Sequence, residues 1–257
     1  MPIVVDACVA QHQGDRAEQQ DRAVLLAHPT DSGVALAVVA DGMGGHAGGA
    51  LAAEQVVHTA RQNFGLCSVR REGAQPLLQS CLQEAHLLIK ASRFTSEKDP
   101  HSTAAMLLLQ PGLASWAHCG DSRLYHFRGD RLLARTIDHS YVERLIEEGR
   151  ITPAQAQVHP NRNILLTSLG GDEDPRVDYG EAVGLRAGDA FLLCSDGLWG
   201  YFGEGELGGV VAAFPAREAC DLLIQRARTR ARGAGDNISV VVLKLVEAPA
   251  AAGKSGA

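Results

Sequence analysis

Three runs of apolar or small residues in this chain end on an aspartate followed by glycine or serine: Val34–Ala40 on Asp41, Ala114–Gly120 on Asp121, and Phe191–Ser195 on Asp196. A fourth aspartate, Asp236, precedes Asn237 and opens a run, Ile238–Leu245. Apolar runs of this length bounded by glycine have the pattern of buried strands. An acid at the edge of such a strand is a carboxylate set beside a core. Two carboxylates about 4 Å apart repel by roughly 4 kcal/mol at an effective dielectric near 20. A fold that gathers several of them needs protons or a hard cation, and oxygen-only ligand sets select Mg2+, Mn2+ or Ca2+. After Asp41, the missing side chain of Gly42 would let its backbone carbonyl approach the same ion. Any one of these aspartates alone fits an Asx-turn or a helix N-cap equally well, the commoner fate of Asp beside Gly. Their combination points to metal chemistry.

The elements that must position these acids follow from periodicity. Ile3–Gln11 and Ala23–His28 read as strands joined by a polar loop, Gln13–Gln20, and Gly33–Ala40 is near-continuously apolar, as when both strand faces are covered. Two helices are expected at Gly49–Phe64 and Gln75–Ser92, where apolar residues recur at helical spacing. Short strands are expected around Thr103–Gln110, Leu113–His118, Arg123–Arg128 and Arg131–Ala134, with Gln110-Pro111-Gly112 and Arg128-Gly129-Asp130 as turns. Residues 138–171 differ in character: helical at Tyr141–Glu148, then polar with Gly149, Pro153 and Pro160, as a flap over the strand layer would be. Strands return at Val177–Glu181 and Ala190–Cys194, a helix at Pro215–Arg232 and a last strand at Ile238–Leu245. Strands grouped with paired helices, without strict alternation, give an α+β layered protein. The expected organisation is one domain over residues 1–246, with 247–257 as a disordered Ala/Gly/Pro/Ser tail.

Composition excludes several classes. The 257 residues are 46% hydrophobic and 21% charged, ordinary for a soluble globule, and a net charge of -6 argues against a nucleic-acid surface. No apolar stretch approaches the roughly 20 residues of a membrane span. The N-terminus lacks the basic and apolar regions of a secretion signal, so the expected location is cytoplasmic. Six cysteines are scattered without CxxC or CxxH spacing, mostly within apolar runs, which makes a zinc site improbable. Gly42-x-Gly44-x-x-Ala47 matches a dinucleotide-binding fingerprint in isolation, but a second helix follows where a parallel strand ending in an acid is required. Gly120-Asp121-Ser122 resembles an esterase nucleophile block, but the last histidine is His159 and no Asp-x-x-His exists to activate Ser122.

Seven segments, in order, decide among the remaining readings. They are Gly14-x-Arg16-x-x-Gln19-Gln20-Asp21, Asp41-Gly42-Met43-Gly44-Gly45-His46, Ser102-Thr103-Ala104, Gly120-Asp121-Ser122-Arg123, Asp138-His139-Ser140, Ser195-Asp196-Gly197-Leu198 and Asp236-Asn237-Ile238-Ser239. Together they resemble the bacterial form of the metal-dependent type 2C serine/threonine protein phosphatases, the PPM family, from Gly14 to Ser239. The resemblance implies a four-layer α-β-β-α sandwich, two antiparallel sheets flanked by helix pairs, with a binuclear Mn2+/Mg2+ centre at one end. It implies that Asp41 bridges two ions, that the Gly42 carbonyl binds one and Asp196 and Asp236 the other. Asp21 would hold metal-bound waters, and Asp121 would contribute to a third, weaker site. Arg16 would grip the substrate phosphate, since a planar guanidinium matches two phosphate oxygens. On this reading Arg16, Asp41, Asp196 and Asp236 carry a hydrolysis of phosphoserine or phosphothreonine by direct attack of metal-activated water, with no phospho-enzyme.

One position departs from many eukaryotic members, which carry histidine after the Asp-Gly pair or elsewhere near the cluster as an acid for the leaving group. Met43 stands after the pair here, and a thioether donates no proton. His46 and a metal-held water are the candidate replacements, while His139 is expected to organise the base of the flap. The expected partners are phosphoproteins made by a bacterial Ser/Thr kinase, met by a free-standing monomer, with the flap tuning peptide preference. Two other functions remain open at this point: a non-catalytic phosphoprotein-binding module on the same fold, and a phosphatase for small phosphorylated molecules.

Overall fold

The computed structural model describes residues 2–44, 47–68, 73–95 and 99–248. Twelve strands occur in it: β1 (Ile3–His12), β2 (Arg22–Ala27), β3 (Ala35–Ala40), β4 (Gly42–Met43), β5 (His101–Ser102), β6 (Ala104–Gln110), β7 (Leu113–Cys119), β8 (Arg123–Arg128), β9 (Arg131–Arg135), β10 (Asp178–Val183), β11 (Asp189–Cys194) and β12 (Ile238–Glu247). The helices are α1 (Ala47–Leu66), α2 (Ala74–Ser92), α3 (Tyr141–Glu147), α4 (Pro153–Gln157), α5 (Asp196–Trp199), α6 (Glu204–Ala213) and α7 (Ala216–Ala231). Ten of the strands form two antiparallel sheets, ordered β1-β12-β11-β8-β9 and β10-β7-β6-β3-β2; β4 and β5 pair separately.

Continuous apolar strands arise because each sheet is covered twice. On β3, Leu36, Val38 and Ala40 face α1 and α2, whereas Ala37 and Val39 face the other sheet. On β11, Leu192 and Cys194 pack with α6 and α7, and Phe191 and Leu193 point inward. Three buried layers therefore separate four layers of structure, the α-β-β-α sandwich expected from the motif order. Burying both faces of a strand removes the period-2 signal and leaves only a run, which is what the sequence displays.

The differences from expectation are local. The sequence pattern predicts only polar chain over α4, although Thr152 and Gln155 form a capping box with Pro153 at the first turn. Helices α5 and α6 were not foreseen. The last strand runs to Glu247, opposite Ile3, and Ala248 N–H donates to Pro2 O, so ordered structure passes the boundary drawn at 246. The tail expected at 247–257 otherwise lies outside the described residues, as does His46. The flap closes on itself through the bridge Ser140–Leu165 and is tied to β5 by the bridge Ser102–Leu169. No helix among the described residues is long and apolar enough to cross a membrane.

Candidate metal and phosphate site

Register brings the aspartates to one end of the sandwich. Pairing of Arg22 with Ala40 sets Asp21, just before β2, beside Asp41, just after β3. Pairing of Cys194 with Val240 sets Asp196 level with Ile238, two residues from Asp236, on the opposite sheet, and a Cβ at the next residue, Gly197, would lie 3.3 Å from the Asp236 Cβ. Strand β7, which ends before Asp121, lies in the sheet of β2 and β3, alongside β6. The loop 13–21 crosses from β1 to β2, between the two sheets, and carries Arg16 and Asp21 over the same end. Asn237 holds this crossing: its side-chain amide donates to Gln13 O and Glu18 O at 2.7 and 2.9 Å, and its Oδ1 accepts from Gln20 N–H at 2.7 Å. Gly14 is required there, because a Cβ would lie 2.0 Å from Asp236 O.

The charges of these acids act on one another. Burial holds the Asp41 carboxyl well above the usual range, and Asp21, Asp196, Asp121 and Asp236 push it further. Burial likewise lifts Asp21 to about 7, opposed by the hydrogen bond from Ser195 and reinforced by Asp196 and Asp236. Asp196 rises to about 6 through burial and then Asp236, and Asp121 rises well above its ordinary value through burial and then Asp196. Desolvation and like charge both disfavour the carboxylate form, so a cluster of this kind is unstable unless protons or cations enter it.

Neutral groups fix the acids without neutralising them. Ser195 Oγ donates to Asp21 Oδ2 at 2.6 Å and accepts Ser239 N–H at 3.0 Å. Thr103 Oγ1 accepts Asp41 N–H at 3.0 Å, and Ser102 Oγ donates to Asp41 O at 3.1 Å. The only cation paired with a cluster carboxylate among the described residues is Arg16, whose Nη2 lies 2.6 Å from Asp236 Oδ2. Asp21 Oδ1 and Asp196 Oδ1 are buried with no hydrogen-bond partner. Buried acceptors left empty beside like charges fit a site built for hard divalent cations. Ser195, Thr103 and Asn237 stood in the quoted motifs without a role. The signal that was available is their adjacency to the acids they support.

Other candidates sort differently. Gly42 is buried, and a Cβ there would lie 2.0 Å from Gly49 O, so the missing side chain also serves the close approach of α1. Ser122 is buried, 2.7 Å from Thr103 Oγ1, a packing role rather than a nucleophile's. His118, His139 and Asp178 form a second cluster whose ligand-type atoms lie within 4.8 Å of one another. His139 Nδ1 accepts Gly120 N–H at 3.2 Å, so in the neutral ring the proton sits on Nε2, 3.2 Å from Asp178 Oδ2. Burial and then His118 hold His139 down at about 4, keeping it neutral near pH 7. That tautomer offers Nε2 no lone pair for a cation. His139 also receives Leu166 N–H on its carbonyl, at the base of the flap.

Residues 10–231 match the family model for protein phosphatase 2C. Protein phosphatase PhpP of Streptococcus pneumoniae is 31% identical over 226 residues, which span 84% of this chain and 88% of that protein. Serine/threonine protein phosphatase PstP of Mycobacterium tuberculosis is 33% identical over 241 residues, 90% of this chain and 45% of that longer protein. The crystal structure of the PstP catalytic domain in complex with 2 manganese ions is similar with TM-score 0.80 at 28% identity, covering 96% of this chain and 100% of that one.

Proposed function

The chain belongs to the protein phosphatase 2C family, and from that footing we propose that it is a metal-dependent phosphatase that hydrolyses phosphoserine and phosphothreonine in proteins. The observation that carries the proposal is the convergence of Asp21, Asp41, Asp121, Asp196 and Asp236, with buried oxygens left open among them. In our reading Asp41, Asp196, Asp236 and the Gly42 carbonyl hold two divalent cations, Mn2+ or Mg2+. Asp21 would help to orient water at the site, and Asp121 would share in holding a third, weaker ion. Such ions, when bound, neutralise phosphoryl oxygens and raise the acidity of water at the site.

The chain's own groups supply the rest. Arg16, with its side chain 62% exposed at the rim, is placed to turn from Asp236 to a phosphate and bind two of its oxygens. Ser195 and Ser239 keep Asp21 oriented, and Thr103 and Ser102 keep the Asp41 main chain fixed, so little reorganisation is needed as charge develops. Met43 cannot protonate the leaving alkoxide. His139, neutral and committed to Gly120, is equally unsuited, so the candidate donors are water and His46, which lies outside the described residues.

The substrates are phosphoproteins, a reading supported by the serine/threonine protein phosphatase names of the relatives. We read it as a monomer acting opposite a bacterial Ser/Thr kinase, and a cytoplasmic location suits the six free, unbridged cysteines. Turnover of p-nitrophenyl phosphate with added Mn2+ tests the chemistry, and kcat/KM on phosphopeptides against small phosphorylated metabolites tests the substrate class. No Mn2+-dependent turnover, with Asp41→Asn behaving as wild type, would refute the proposal.

A further inference from the structure

The peptide of Asp121 is gripped from three sides. Before it, Gly120 donates its N–H to His139 Nδ1 at 3.2 Å and accepts His139 N–H at 3.0 Å. After it, Ser122 Oγ meets Thr103 Oγ1 at 2.7 Å. The third contact falls on Asp121 itself, whose carbonyl accepts the indole N–H of Trp199 at 2.9 Å. That indole does not wander. Its ring carries the Arg123 guanidinium 3.5 Å from the centroid, and Arg123 is itself fixed by two bonds to Asp138, at 2.8 and 2.7 Å, and one to Tyr125 Oη at 3.2 Å. A planar guanidinium held on an aromatic face in this way restricts both groups.

Trp199 closes the single turn that Asp196 opens, α5, with its N–H on Ser195 O and Gly200 N–H on Asp196 O. One rigid turn therefore carries the Asp196 carboxylate at its start and, at its end, the donor that fixes Asp121 in the neighbouring link from β7 to β8. The geometry points to Trp199 as a positioning residue that sets Asp121 relative to Asp196, so that affinity for the ion Asp121 helps to hold depends on the indole N–H. This rests on the metal-site reading above. It assigns Trp199 no contact with substrate. The sequence marks Trp199 only as the residue following Asp196-Gly197-Leu198, and nothing in its spacing connects it to Asp121, 78 positions away.

Calorimetric titration of the metal-stripped protein with Mn2+ tests the inference without reference to turnover. Trp199→Phe keeps an aromatic face for Arg123 and removes only the donor. The expected result is about a tenfold loss of affinity for the weakest ion, the size typical when a group orienting a ligand is removed, with the tighter ions unchanged. Trp199→His restores a ring N–H and is expected to recover part of that loss. A merely structural role would lower the melting temperature of both variants and leave every Mn2+ affinity as in wild type; that outcome overturns the inference. So does a wild-type isotherm with no weak component, or equal losses for Phe and His. If the wild type bound no Mn2+ and showed no phosphatase activity, the functional proposal itself would fail. Mn2+ binding and turnover with isotherms indifferent to Trp199 would sink only the positioning role.

Discussion

One aspartate opens strand β11 and another opens the helical turn just past its end, and the two live in opposite surroundings. Asp189, at its start, is fully buried, yet Arg128 gives it two bonds at 2.8 and 3.0 Å, Arg186 N–H a third at 2.8 Å, and His126 Nε2 lies 3.2 Å away. Its carboxyl falls below the ordinary value: burial pushes it up, and the Arg128, Arg186 and His126 contacts outweigh that. Asp196, seven residues on, has a buried oxygen with no partner, and the largest influence on it after burial is Asp236, which the Gly197 N–H and Arg16 oppose without bringing it back to its ordinary value. The same side chain is thus neutralised internally at the start of β11 and left largely uncompensated just past its end. A protein spends stability where a cation must later bind, and a carboxylate already satisfied by arginine is of no use as a ligand.

The contrast can be broken by substitution. Asp41→Asn is expected to lower Mn2+-dependent turnover more than about 100-fold, beyond the usual effect of losing an orienting group. The same change should raise the melting temperature of the metal-free protein, because a buried, repelled carboxylate becomes a neutral amide. A fall in that melting temperature would contradict the account of the cluster. Asp189→Asn should do the reverse, costing roughly 2 kcal/mol in urea unfolding while kcat stays near wild type. The figure lies below the ~3–5 kcal/mol for one half of a fully buried pair, since Arg128 still reaches water. Arg16→Ala should raise KM for p-nitrophenyl phosphate about tenfold, in line with one charge-assisted contact, and leave unfolding unchanged. An unaltered KM would remove Arg16 from phosphate binding.

The gentlest probe is pH. A carboxyl whose folded pKa is raised binds its proton more tightly in the native state, so its contribution is full below the unfolded value and is lost as pH rises through the folded one. With Asp21 moved from 3.8 to about 7 and Asp196 to about 6, metal-free protein should lose stability between about pH 4 and 7. Asp189, with its pKa lowered, contributes in the opposite sense, and that stability is lost as pH falls below about 4. Denaturation in EDTA across this range should slope downward with pH, and added Mn2+ should flatten the slope. A slope unaffected by Mn2+ would argue that the cluster is not where the ion acts.

Much of this was open to sequence reading because an aspartate at the end of an apolar run is conspicuous: burial makes its charge a chemical statement. Strands β3, β8 and β11 were legible within two residues at each end for the same reason, being runs with sharp polar borders. Helix α6 was hidden by Gly205, Gly208 and Gly209, which are poor helix formers. Gly208 is there because a Cβ would lie 2.3 Å from Asp130 O, at the turn between β8 and β9. Helix α5 is a single turn, too short for any period to register. Residues such as Ser195, Asn237 and Trp199 carry no charge, so their bonds to distant main chain leave no mark in a linear pattern.

Residue type and order alone determined a layered α+β protein and acids suited to a hard cation, because hydrophobic burial and carboxylate repulsion are properties each residue carries with it. The phosphoryl chemistry came from the resemblance of seven ordered segments to a known family. Tertiary structure decided which acids are compensated and which are left open, how Arg16 meets Asp236, and how Trp199 reaches Asp121. Those outcomes depend on antiparallel register and on contacts between two sheets, and a directional hydrogen bond exists only once both of its partners have been brought within 3 Å or so.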